Sequence, residues 1–269
     1  MQPPPFPSDG FAGVVRVAGE TWCFGFADRA HEIPNAPDTQ FGIASGTKGF
    51  TRLVAEATLA PDLRARELLG DDLPLIDDRV TVAQLLDHTS GIGDYYDEDV
   101  HTELEGYVTP NVHELDTTEA YLRVLDGFPQ LFEPGTRTKY CNGGYVVLAL
   151  LAERATGASF FDLVDEHVCE PAGLRDTAFL RSDALPGRAA LGYLADGRTN
   201  VFHLPVRGSG DGGLYTTLDD LDRFWARFDS LERLQGGDAG VSMRSLRGRY
   251  TVLSNTTSGA WPVVRALDA

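Results

Sequence analysis

Strand-like segments stand at both ends of this 269-residue chain, and helical patterns fill the stretch between them. Residues 11–18 (FAGVVRVA) and 21–27 (TWCFGFA) are short apolar runs joined at Gly19-Glu20, the signature of a two-stranded hairpin. Near the other end, residues 247–255 (RGRYTVLSN) form another strand-like run, and AWPVVRALDA reads as a terminal helix. That order predicts one antiparallel sheet built from both termini, flanked by helices, with a mostly helical insertion: an α+β fold. The expected division is residues 1–60 and 206–269 for the sheet-containing part and 61–205 for the insertion.

Between the ends, helix signals are frequent. From Ser45 onward, Phe50, Leu53, Val54 and Ala57 fall at helical spacing, and Pro61 closes the pattern. VTVAQLLDHTSG reads as a short helix capped by Thr81, with Gly91 just past its end. DTTEAYLRVLDGF is another, capped by Thr117 or Thr118. GYVVLALLAERATG is a strongly apolar helix ending at Gly157, SFFDLVDEHVCEPAG is amphipathic, and LDDLDRFWARF starts a helix after Thr217. GSGDGG (208–213) is a glycine-rich turn, and PPPFP near the start is the one low-complexity tract.

Charge excludes some functions. The formal net charge is −17. A surface that negative repels polyanions, so neither nucleic acid nor an anionic membrane is expected as a partner. The start, MQPPPFPSDGF, has no basic stretch followed by an apolar one, and no run is long enough to span a membrane. Cys23, Cys141 and Cys169 are odd in number and share no metal-type spacing. A cytoplasmic protein without a disulfide framework or metal cofactor is expected, of unassigned oligomeric state.

The chain has 23 Lys plus Arg, yet the only lysines are Lys48 and Lys139. Lys48 follows Ser45 by three residues, and positions i and i+3 share one helix face. A serine hydroxyl becomes a nucleophile when a base lies within hydrogen-bond reach. Lysine serves as that base if burial or nearby positive potential lowers its pKa; arginine cannot. Taken alone, the same spacing equally fits a capped helix with a solvated lysine.

A second element narrows the choice. Ser45-Gly-Thr-Lys48 and Tyr140-Cys-Asn142 resemble the S-x-x-K and Y-x-N motifs of the class C β-lactamase and penicillin-binding-protein-like serine hydrolases. LLDHTSG (85–91), FEPGT before the tyrosine, EPAGLRDTAF (170–179) and GDGGLYTTLDDLDRF (210–224) resemble the same framework in the same order. The resemblance implies that Ser45 attacks a carbonyl carbon to form an acyl-enzyme. It also implies that Lys48 and Tyr140 share the general-base role, and that Asn142 binds the substrate amide or the Lys48 head group. On the residues alone, Asn142 also fits a helix N-cap.

The third motif of that family, Lys-Thr-Gly or His-x-Gly, lies on an edge strand. Its place here is Leu234-Gln235-Gly236-Gly237, reached after a segment from Trp225 much shorter than the family's. The glycines match, so the N–H groups of Ser45 and Gly237 are expected to form the oxyanion hole, with Gly236 and Gly237 lining the substrate cleft. The cation is missing. The expected activity is therefore hydrolysis of small esters or amides, with weak or no β-lactamase activity. The alternative is a binding protein that keeps the fold but turns over slowly. No G-x-S-x-G elbow is present, His88 reads as a loop brace, and Asp94–His101 reads as a solvated acidic loop at the cleft mouth.

Overall fold

A computed structural model describes residues 6–269, so the prolines at 3–5 lie outside the described residues. The strands are β1 (Gly13–Val17), β2 (Glu20–Phe24), β3 (Phe26–Asp28), β4 (Ile33–Pro34), β5 (Phe41–Gly42), β6 (Tyr215–Thr216), β7 (Arg233–Asp238), β8 (Val241–Leu246) and β9 (Tyr250–Ser254). The helices are α1 (Thr47–Thr58), α2 (Ala65–Leu69), α3 (Val82–Leu86), α4 (Leu122–Leu125), α5 (Asn142–Thr156), α6 (Phe160–Val164), α7 (Glu170–Ala172), α8 (Leu218–Arg227) and α9 (Ala260–Asp268). A π-turn at Asp165–Cys169 joins α6 to α7.

The main sheet runs β2-β1-β9-β8-β7, antiparallel throughout. The two chain ends meet where Val14 pairs with Leu253 and Val15 with Val252. Side chains alternate across a strand, and each face buries a different set. Val14, Met243, Leu253 and Leu234 pack into the large core with α1, α5 and α8. Val15, Trp22, Tyr250 and Val252 pack on the other face with Phe6, Phe11 and α9. The sheet thus lies between two helical layers.

The edge strand that the resemblance implies at Leu234–Gly237 is β7, although the residue pattern alone does not show the β7–β8 hairpin. Its first strand, RLQGGD, has one buried apolar side chain, so no alternation is visible. In α1 the buried face is Phe50, Thr51, Val54 and Ala55, while Ala57 is exposed. The apolar face therefore lies one position away from the predicted stripe on that turn. Around α3, Thr81 caps through its hydroxyl, and Gln84 reciprocates. The left-handed residue that ends this helix is His88 (φ 56°) rather than Gly91.

β7 is an edge strand, and it runs directly past the turn that carries Ser45. The approach requires glycine. A Cβ at Gly236 would sit 2.5 Å from the Ser45 amide nitrogen and 2.5 Å from the Ile43 carbonyl oxygen. Both are backbone atoms, so nothing can rotate away. Gly236→Ala is expected to destabilise the protein by about 2 kcal/mol or more, the order of an overpacked core. Urea unfolding at fixed pH checks this; a midpoint unchanged from the native protein would contradict it.

Candidate active site

Ser45 lies in a single 3₁₀ turn, Ala44–Gly46, that leads into α1. Ala44 before it is held at φ 45°, a conformation that costs a non-glycine residue about 1 kcal/mol or more. This strained corner sets Ser45 above the start of the helix. Lys48, one turn on, is only 7% exposed. Its Nζ donates to Ser45 Oγ at 2.9 Å, to Asn142 Oδ1 at 2.8 Å and to the Asp211 carbonyl at 2.8 Å. An ammonium has three donors and no acceptor, and here each donor has a partner.

The protonation state follows from the surroundings. Burial alone lowers the lysine pKa, but the Tyr140 phenol and the buried Asp211 and Asp94 carboxyls outweigh it and the net shift is upward. The net direction favours the ammonium form of Lys48. Lys48 is a buried cation.

Tyr140 comes from the segment before α5 and is 39% exposed. Its hydroxyl donates to Ser45 Oγ at 2.8 Å, and its ring centre lies 5.0 Å from Lys48 Nζ. His88 fixes that segment from both sides: its carbonyl accepts from Lys139 N at 2.9 Å, and its Nδ1 accepts from Cys141 N at 3.2 Å. The imidazole also lies against the Tyr140 ring, with centroids 4.7 Å apart. Burial, with Lys48 nearby, pulls its pKa down to about 4. A neutral ring with an open Nδ1 is what the Cys141 N–H requires. The structure thus brings Ser45, Lys48, Tyr140 and Asn142 into contact, and lays Gly236 and Gly237 alongside.

Two positions differ from the expectation. Asn142 is the first residue of α5, and the cap is Cys141, whose Sγ accepts from Gly144 N. The Asn142 side chain instead bridges Lys48 and the Tyr96 carbonyl, the latter at 2.9 Å. Asp94 is not a solvated loop residue. It is buried, and accepts from Asn142 N at 2.5 Å and Gly143 N at 2.8 Å. It thereby satisfies the free N–H groups at the start of α5, where a carboxylate also complements the helix dipole. No charge pattern in the sequence separates it from the acidic residues that follow it.

GSGDGG also acquires a role that its composition did not reveal. Gly210 passes so close to α5 that a Cβ there would lie 2.0 Å from the Tyr145 carbonyl. That approach presents the Asp211 carbonyl to Lys48, while the Asp211 carboxyl takes the Tyr95 hydroxyl at 2.6 Å. At the third motif, Leu234 is 2% exposed and fills a space over Gly49, where a Cβ would come 2.2 Å from Leu234 Cδ2.

Burial raises the Asp94 pKa to about 6 despite the backbone donors. The unfolded value is near 3.9. The native state therefore holds this proton over a window where the unfolded chain has released it, and Asp94 makes stability fall as pH rises from about 4 to about 6. Asp94→Asn is expected to remove that component, on the order of 2 kcal/mol across the window. Subtracting the variant's unfolding free energies from those of the native protein, pH by pH, checks the sign.

Comparison with known proteins agrees with this geometry. Residues 8–262 match the family model described as Beta-lactamase. A D-aminopeptidase from Brucella anthropi is 32% identical over 237 residues, covering 85% of this chain and 42% of that protein. The chain thus spans less than half the length of that curated relative. Among solved structures, a penicillin binding protein from Bacillus halodurans superposes with a TM-score of 0.85 at 28% identity, covering 96% of each chain. The D-amino acid amidase from Ochrobactrum anthropi SV3 shares the fold, with a TM-score of 0.74 at 20% identity over 97% of this chain and 94% of its own. With the family match running through nearly the whole sequence and a serine–lysine–tyrosine cluster at the centre of the fold, the chain belongs to the β-lactamase family of serine hydrolases.

Proposed function

We propose that this protein hydrolyses small amides and esters through an acyl-enzyme on Ser45. The observation that carries the reading is the Ser45 oxygen itself, held by Lys48 Nζ at 2.9 Å and by the Tyr140 hydroxyl at 2.8 Å. Curated relatives named D-aminopeptidase support amide substrates.

Ser45 Oγ attacks the carbonyl carbon. Its proton passes to the Tyr140 oxygen as Tyr140 gives its own proton to the leaving nitrogen or oxygen. The Lys48 ammonium stays charged and stabilises the negative charge that develops on Ser45 during attack. Asn142 holds Lys48 through Oδ1, and its second amide hydrogen is available to the substrate carbonyl. The carbonyl oxygen becomes an oxyanion beside the N–H groups of Ser45 and Gly237, a role that Gly236 favours by bringing β7 against the Ser45 turn. Water then attacks the ester with Tyr140 acting in reverse. The leucine at position 234 offers nothing to a substrate carboxylate, so β-lactams are poor substrates. We place the reaction in the cytoplasm, since Cys23, Cys141 and Cys169 are free thiols, which suits a reducing compartment.

A fluorophosphonate probe and a p-nitrophenyl ester panel test this reading. Ser45→Ala is expected to abolish both labelling and turnover. Tyr140→Phe and Lys48→Ala should lower kcat/KM by about 10²- to 10⁴-fold, the usual worth of proton transfer and charge stabilisation. Nitrocefin should turn over with kcat/KM below about 10⁴ M⁻¹s⁻¹, under the range of efficient enzymes. Undiminished labelling of the Ser45→Ala variant would overturn the assignment.

A further inference from the structure

The Tyr140 hydroxyl meets Ser45 Oγ, yet the Tyr140 ring is exposed at the wall of the open groove. Its direction is therefore set by the backbone on either side of it. Lys139 N donates to the His88 carbonyl at 2.9 Å, and Cys141 N donates to His88 Nδ1 at 3.2 Å. One residue thus grips the chain both before and after Tyr140. The two grips differ in kind. A carbonyl accepts at any pH, whereas an imidazole accepts at Nδ1 only while that nitrogen is unprotonated, since an imidazolium has two donors and no acceptor.

The turn itself does not ask for histidine. His88 has φ 56°, a conformation that glycine and asparagine also adopt readily. What the imidazole adds is contact. Its centroid lies 4.7 Å from that of Tyr140 and 5.1 Å from that of Tyr145, and the Tyr145 hydroxyl is fixed on the Leu86 carbonyl at 2.9 Å. The ring is thus backed by an anchored side chain while it holds an exposed one. Its charged surroundings come from α1 and from its own turn. Burial opposes a positive charge on the ring most, Lys48 and Arg52 on α1 add to that, and Asp87 works against them, which leaves the pKa at about 4. The segment that leads into α5 faces the ring with the Tyr140 and Tyr145 phenols and the Cys141 backbone.

We infer that His88 is a positioning residue for Tyr140 that works only as a neutral ring: a proton on Nδ1 turns the acceptor into a donor, frees the Cys141 N–H, and lets the Tyr140 hydroxyl leave Ser45. This rests on the acyl-enzyme reading of Ser45 and adds what limits that chemistry in acid. The sign is fixed by the direction of the change. The neutral ring is present above a pH of about 4, so turnover is held there and lost as pH falls through that value. Asp94 titrates higher, at about 6, and is the same in every variant, so its effect cancels when variants are compared.

The experiment follows p-nitrophenyl acetate hydrolysis from about pH 3 to about pH 8 by the native protein, His88→Asn and His88→Gly, with circular dichroism at each pH. Both replacements suit the left-handed turn, but only asparagine puts an acceptor, its amide oxygen, where Nδ1 stood. At neutral pH His88→Gly is expected to lose about 100-fold in kcat with KM within about threefold, the scale of a displaced catalytic group. His88→Asn should recover at least about tenfold of that loss, and its profile should lack the native fall of roughly tenfold per pH unit below about 4. An asparagine variant as slow as the glycine one overturns the inference, and so does an acid limb identical in the native protein and His88→Asn. A test without substitution stands beside these: in the native protein the acid limb of kcat and the NMR titration of the His88 imidazole must share one midpoint, and separate midpoints overturn the inference even if neither variant folds. Fluorophosphonate labelling separates the two levels. Labelling at Ser45 with the wrong pH behaviour sinks this inference alone, whereas no labelling sinks the acyl-enzyme reading and this inference with it.

Discussion

One buried ammonium ties the site together. Lys48 reaches a serine in its own turn, an amide at the head of α5, and a backbone carbonyl in the glycine-rich loop before β6. A desolvated cation is costly unless its donors are all engaged, so these three segments must arrive together for any of them to be stable there. The requirement extends outward. Asn142 is in place because Asp94 holds its N–H, and the Asp211 carbonyl is in place because Gly210 lets the loop press on α5. The geometry of the site is thus a by-product of satisfying one charge.

The same charge explains why buried carboxyls are tolerated nearby. Asp94 and Asp211 both raise the Lys48 pKa, and Lys48 in turn opposes the upward shift at Asp211. Neither carboxyl has a direct ion pair with the lysine among the described residues, so the coupling acts through space rather than through contact. Through-space coupling of this kind survives small movements better than a bidentate bond does, which suits a cleft that must admit a ligand.

What could be seen in advance was whatever is local in sequence. Ser45 and Lys48 are one helical turn apart, Tyr140 and Asn142 are two residues apart, and the strand runs at the ends are visibly apolar. What could not be seen depends on which surface a residue meets. Asp94 and Asp97 look alike in the sequence; one caps α5 from inside, while the other pairs with Lys139 near the surface. Cys141 does not read as a helix cap, because thiols rarely serve as one, and His88 does not read as a left-handed terminator. The residue pattern alone does not show the β7–β8 hairpin, which the resemblance located by its edge strand, because the residues that let β7 approach Ser45 are glycines, and glycine lowers strand propensity.

The contact between Gly49 and Leu234 bears on how such a chain can change over evolutionary time. A glycine inside a helix is a disadvantage on its own, and it persists at 49 because the leucine fills the room that a side chain there would need. The two positions form an epistatic pair. A basic group at 234 would bring a charge into a dry pocket beside α1, and a side chain at position 49 would collide with the leucine. Packing thus constrains the helix position and the strand position jointly, so that neither can change in size alone.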